Sequence, residues 1–164
     1  MFKVIKRLLL VVVVLALAST AIVYGVLTLS LPALDGKGRS DAVTQPVKVA
    51  RDTLGQAVIT ATTRHDAAYG LGYAHGQDRF FQMDLLRRNA AGELSELFGE
   101  AALGLDKKMR FHQLRKRSQA ILKTLPKADK QLLRSYAQGV NEGLAQVGSV
   151  SYTHLRAHET LRYL

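Results

Sequence analysis

His154 and His158 stand four residues apart, with Glu159 beside the second. On a helix the two imidazoles would share a face, as a zinc-binding pair does. The zinc-protease pattern sets its glutamate between the histidines, H-E-x-x-H, whereas the order here is His-Leu-Arg-Ala-His-Glu. The general base is misplaced, and the pair defines a zinc protein only if stoichiometric metal is found. His65, His75 and His112 are isolated in sequence and are expected to be packed or hydrogen-bonded rather than catalytic. Asp78 and Asp84 point to different faces of a helix and do not form an acid pair by spacing. Ser95, Ser118, Ser135 and Ser151 are internal, and no Gly-x-Ser-x-Gly elbow, phosphate loop or dinucleotide fingerprint occurs. The chain has no cysteine, which removes thiolate nucleophiles, cysteine metal sites and disulfides. No residue therefore receives a catalytic, cofactor-binding or metal-binding assignment.

Chemistry-bearing side chains are densest between Gly72 and Gly99, where charges alternate with Phe80, Phe81, Met83, Leu85 and Leu86. Charges that close to apolar positions must be satisfied internally or by a partner. The spacing predicts an ion-pair framework of Asp78, Arg79, Asp84, Arg87, Arg88 and Glu96 beneath an adjoining sheet, with Gln77 and Gln82 satisfying backbone groups.

The elements that position this run follow from local patterns. Pro46 to Arg51 and Gln56 to Ala61 are β-prone, and Asp52 to Gly55 carries turn residues at its ends, so a hairpin is expected. Asp66 serves as N-cap or first-turn acid of a helix whose Gly70, Gly72 and Gly76 leave a bare face for close helix approach. A second helix over 78–91 stops at Gly92, and a short turn or helix over 93–98 stops at Gly99. A long helix is expected from Asp106 to Leu125, and Pro126 separates it from another over 128–147 with an apolar stripe of Leu132, Leu133, Tyr136, Val140, Leu144 and Val147. A lone hairpin has an apolar face and two edges to cover, so more protein is expected.

No charge occurs between Arg7 and Asp35, and the 22 residues from Leu8 to Leu29 would reach about 33 Å as a helix, enough for a bilayer core. Lys3, Lys6 and Arg7 precede this segment, so the amino end is expected to stay cytoplasmic and the remainder to be periplasmic or extracellular. A cleaved signal peptide is the competing reading. The length of the apolar stretch, and the lack of a clear small-x-small site just beyond it, favour an uncleaved anchor. The net charge of +10 is uneven, because residues 106–134 hold 10 basic and 2 acidic groups. An exported chain rarely meets nucleic acid, so the basic stripe is expected to be a solvated face or to meet anionic lipid or an acidic protein surface.

The segments Val47 to Gly55, Asp66 to Arg88, Gly92 to Gly99, Asp106 with Arg110, and Tyr136 to Asn141 resemble, in that order, the amino-terminal part of the alpha chain in the penicillin acylase (penicillin amidase) family of N-terminal-nucleophile hydrolases. The resemblance covers about residues 45–147. It implies a four-layer αββα fold, and an exported precursor that cuts itself into alpha and beta chains. In such a precursor the first serine of the beta chain attacks a linear amide, with its own α-amine as base. It also implies calcium joining the two chains of the full-length protein, with none held by this portion. The implied nucleophile, oxyanion donors, acyl pocket and calcium ligands all fall beyond Val147. Ala57 stands where the family usually has proline.

The expected organisation is thus α+β: a transmembrane or signal segment over 1–30, a linker over 31–45, an alpha-chain fragment of one hairpin and several helices over 46–147, and an atypical tail over 148–164 that reads as a truncation or frame disruption. The expected function is a fragment of a hydrolase of non-peptide carbon–nitrogen bonds, inactive alone. Its partners would be the membrane and the remainder of the precursor, and an acylated amide would be substrate only of the whole enzyme. The alternative is a noncatalytic exported module whose stripe from Lys107 to Arg134 binds anionic lipid or a partner.

Overall fold

A computed structural model of the chain describes residues 2–29 and 35–147. Helix α1 (Phe2–Leu29) contains the 24-residue apolar stretch Ile5–Thr28, none of it buried against the rest of the protein. Its few polar side chains turn inward on their own helix: Ser19 and Thr20 donate to the Ala16 carbonyl at 2.9 and 2.8 Å, and Thr28 donates to that of Tyr24 at 3.0 Å. Hydroxyls satisfied in this way tolerate an apolar surrounding. The helix has the length and composition of a signal or membrane-anchoring segment.

Strands β1 (Lys48–Arg51) and β2 (Ala57–Thr60) form an antiparallel hairpin in which Val49 faces Ile59 and Arg51 faces Ala57. The Asp52 carboxylate accepts from the Leu54 and Gln56 amides at 2.9 and 2.8 Å, and Gly55 supplies the φ of 77° that closes the turn. Pairing ends short of Pro46 and Ala61, so both strands are shorter than the sequence suggests. One face of the hairpin lies on helix α2 (Arg64–Asp78): a Cβ at Gly70 would come within 2.8 Å of both Ile59 and Val47.

Thr63 is the N-cap of α2, accepting from the Asp66 amide at 3.0 Å, which makes Asp66 the first-turn acid. Helix α3 (Phe80–Ala91) follows after Arg79 and ends at Gly92, whose φ is 72°. Helix α4 (Ser95–Phe98) is a single turn ended by Gly99. The long helix expected from Asp106 to Leu125 is two helices, α5 (Glu100–His112) and α6 (Leu114–Thr124). They are broken at Gln113, whose φ of 51° is left-handed although the residue is not glycine. Asp106 lies well inside α5 and does not start it.

Helix α7 (Lys127–Gln146) follows Pro126 and packs along α2. The two helices meet through opposed Gly-x-x-x-Gly faces. A Cβ on Gly72 or Gly76 would sit 2.1 or 2.3 Å from the carbonyl oxygens of Tyr136 and Val140, and one on Gly139 or Gly143 would sit 2.0 or 2.2 Å from those of Tyr69 and Tyr73. The backbones therefore touch where side chains would normally intervene. Phe80 and Val140 are the buried centre, with Met83, Tyr136 and Leu144 packed around them. Of the expected α7 stripe, Leu133 is exposed, because the contact face is set by Gly139 and Gly143.

Candidate functional site

A groove of about 680 Å³ opens between the hairpin turn and the α2–α3 junction. Leu54 to Ala57 form one wall, and the other contains Leu71, His75, Asp78, Arg79, Gln82, Met83 and Leu86. Two of its polar groups, Asp78 and His75, are already committed. Arg51 donates to both Asp78 oxygens at 2.8 and 2.7 Å and to the Gly55 carbonyl at 3.1 Å. The hydrogen bond to Asp78 raises the Arg51 pKa further. His75 Nδ1 lies 2.9 Å from the Tyr136 hydroxyl, which in turn points at Met83 Sδ at 4.0 Å. Burial raises the Tyr136 pKa. Among the described residues the groove is lined by one imidazole, one guanidinium-bound carboxylate, the Arg79 guanidinium and the Gln56 and Gln82 amides, and by no serine.

The charge framework is divided between two places. Asp84 is buried and accepts from Arg87 at 2.6 Å and from Arg88 at 2.7 Å, and Arg88 reaches on to Glu96 at 2.5 Å. Burial depresses the Arg88 pKa, but its carboxylate partners outweigh this and raise it overall. Asp78 does not join that network, since its partner is Arg51 on the hairpin. Arg115 adds a bidentate pair to Glu93 at 2.5 and 2.7 Å, which lowers the Glu93 pKa.

Two further carboxylates, 1% exposed each, are the most buried charges, and spacing does not reveal their partners. Asp66 accepts from the Thr44 amide and hydroxyl at 2.8 Å each and from the Thr63 hydroxyl at 2.7 Å. These bonds, the Thr44 amide first, hold its pKa below the usual range. Asp106 accepts from the Leu94 and Ser95 amides at 2.9 and 2.7 Å, capping the start of α4 from another helix. Burial pushes its pKa up, but the bonds from Ser95 and Leu94 and the charge of Arg110 prevail and lower it. Glu142 accepts from Ser40 at 2.8 Å and from the Tyr69 hydroxyl, fastening the segment before the hairpin to α2 and α7. Burial, then Glu142, pushes Tyr69 up to about 12.

Of the residues weighed in the sequence, the Nε2 atom of His65 is buried without a hydrogen-bond partner, while His112 is exposed and meets Phe111 edge-on. The Ser95 amide serves Asp106, and Ser118 is exposed. His154, His158, Glu159 and Ser151 lie outside the described residues. Among the described residues no three His, Cys, Asp or Glu side chains converge as metal ligands. The calcium implied for the family does not fit the buried carboxylates, since Asp66, Asp84 and Asp106 are engaged by N–H and O–H donors.

Residues 46–161 match the profile of the family described as Penicillin amidase, and the chain belongs to that family. It is 37% identical over 112 residues to the acyl-homoserine lactone acylase QuiP of Pseudomonas aeruginosa, covering 68% of this chain and 13% of that protein. It is 38% identical over 116 residues to the Penicillin acylase 2 proenzyme of Pseudomonas sp. strain SE83, covering 71% and 15%. Against the Penicillin G acylase of Escherichia coli it is 32% identical over 120 residues, covering 73% and 14%. The structure resembles a thermostable Penicillin G acylase from Alcaligenes faecalis with a TM-score of 0.59 and 31% identity, over 74% of this chain and 63% of that one. The hairpin and helices are thus an α+β arrangement resembling part of an Ntn-hydrolase core. The chain spans about one seventh of the length of these curated relatives.

Proposed function

We propose that this chain is the scaffold portion of a hydrolase of linear, non-peptide amide bonds, of the penicillin-amidase or acyl-homoserine-lactone-acylase kind, and is inactive without the remainder of such a protein. The family match over 46–161 carries this reading. The dependence on further protein is supported by one relative's being named a proenzyme. The remainder would contribute the rest of the alpha chain and a serine-led beta chain. In this reading α1 is an inner-membrane anchor or export signal, and residues 35–147 act on the periplasmic or extracellular side.

The purified chain is expected not to hydrolyse phenylacetyl or long-chain acyl amides, and turnover above a mock purification would overturn that part. Reading the gene past codon 164 in all frames tests the other part. Several hundred further codons with a serine-led segment are expected, and stop codons in every frame would count against it.

A further inference from the structure

Cations on α5 and α6 fall into two groups. Arg115 faces inward to Glu93, and Arg110 donates to the Gly92 carbonyl at 2.9 Å. Lys107, Lys108, Lys116, Arg117 and Lys123 are exposed and make no ion pair among the described residues. Of the two acids within 106–134, Asp106 is buried and engaged by backbone amides, which leaves only Asp129 at the surface. Phe111 is 85% exposed and Ile121 is 60% exposed. Phe111 follows Lys107 by one helical turn, and Ile121 follows Arg117 by one turn, so each apolar side chain projects next to a cation. On α6 the half-buried positions are Arg115, Gln119 and Leu122, on the opposite side of the helix.

Exposed aromatic and aliphatic tips among unpaired lysines and arginines match the headgroup region of a bilayer, where cations meet anionic lipid and the apolar tips enter the acyl boundary. The occupant is also indicated from elsewhere in the chain. Helix α1 offers an apolar stretch of bilayer length, and Ser40 is already fastened to Glu142, so the intervening residues 30–39 span at most about 35 Å when fully extended. A membrane holding α1 would keep this surface within reach, which raises its effective concentration there.

We propose that the outward side of α5 and α6, with Phe111 beside Lys107 and Lys108, Ile121 beside Arg117, and Lys116 also exposed, lies on the anionic surface of the bilayer that receives α1. The basic stripe is then a membrane-facing surface of a family member, and it does not require a separate, noncatalytic function. The proposal does not depend on amide hydrolysis.

Because the chain has no cysteine, Phe111→Cys and Ile121→Cys each give a unique labelling site and each leaves the other apolar tip in place. Both are spin-labelled in the full chain, reconstituted into phosphatidylcholine vesicles with or without abundant phosphatidylglycerol. Accessibility to a water-soluble relaxation agent is the readout. With phosphatidylglycerol at low salt, both labels are expected to be roughly tenfold less accessible than in phosphatidylcholine alone. High salt is expected to remove this protection, as is combined Lys107→Glu, Lys108→Glu, Lys116→Glu and Arg117→Glu substitution. A label from Leu54→Cys, on the exposed hairpin turn, is expected to stay accessible throughout. Equal accessibility in the two lipids, protection that survives salt or charge reversal, or equal protection at position 54 would each overturn the proposal.

Discussion

The α2–α7 pair and the layer formed by α3 to α6 solve the same packing problem with opposite materials. The first brings two backbones together by deleting side chains at Gly72, Gly76, Gly139 and Gly143. The second joins its elements mainly through charged side chains: Arg88 of α3 on Glu96 of α4, Arg115 of α6 on Glu93, and the Asp106 carboxylate of α5 on the amides of α4. Glycine packing has no flexible side chain to absorb an added atom. Charge pairing can adjust its geometry, but it depends on ionisation state and on both partners being present.

The comparison breaks first at the glycines. Gly139→Leu is expected to separate α2 from α7 at a cost on the order of 4 kcal/mol or more, measured as loss of slow amide exchange in both helices. Slow exchange retained there would show that the backbones can part cheaply. In the charged layer, Asp84→Ala leaves two arginines without their buried partner and is expected to cost about 3 kcal/mol. Its effect on exchange should stay within α3 to α6, and loss of α2–α7 protection would show that the two regions are not separable.

Acid tests both regions without mutation. Asp66, Asp106 and Glu93 have lowered pKa values in the folded chain, so their contribution is complete above the unfolded carboxylate values near about 4 and is lost as pH falls through the folded ones. Helical melting followed by circular dichroism is expected to be flat from neutral pH to about pH 5 and to drop below about pH 4. A melting temperature that rises on acidification would contradict the assignment of these carboxylates as stabilising. The smallest effect belongs to the partly exposed Glu93–Arg115 pair. Arg115→Ala is expected to cost about 1 kcal/mol or less, with little remaining at high salt.

The two regions also differ in how far the sequence discloses them. The glycine face of α2 is legible from spacing, as are the hairpin turn, the stop at Gly92 and the break at Pro126, because each depends on a residue with unusual backbone freedom. The break at Gln113 carries no such signal, so α5 and α6 read as one helix. Asp78 has Arg79 next to it in sequence, yet its partner is Arg51, 27 residues away across the hairpin. Asp66 and Asp106 reach amides of Thr44 and Leu94, contacts that exist only once separate elements are packed. For the candidate site, the committed state of His75 and Asp78 is likewise tertiary. What the sequence could disclose is the family pattern, and the match over 46–161 rests on it.

The close α2–α7 contact should also leave a magnetic signature. With Tyr136, Val140, Tyr69 and Tyr73 carbonyls set against the four opposed glycines, one α-hydrogen of each glycine points at an oxygen and the other does not. The two hydrogens on each of these carbons should then resonate apart, the oxygen-facing one at lower field. Four such split methylene signals would report whether these helices are in register, including in a membrane-bound sample where no other site is assigned.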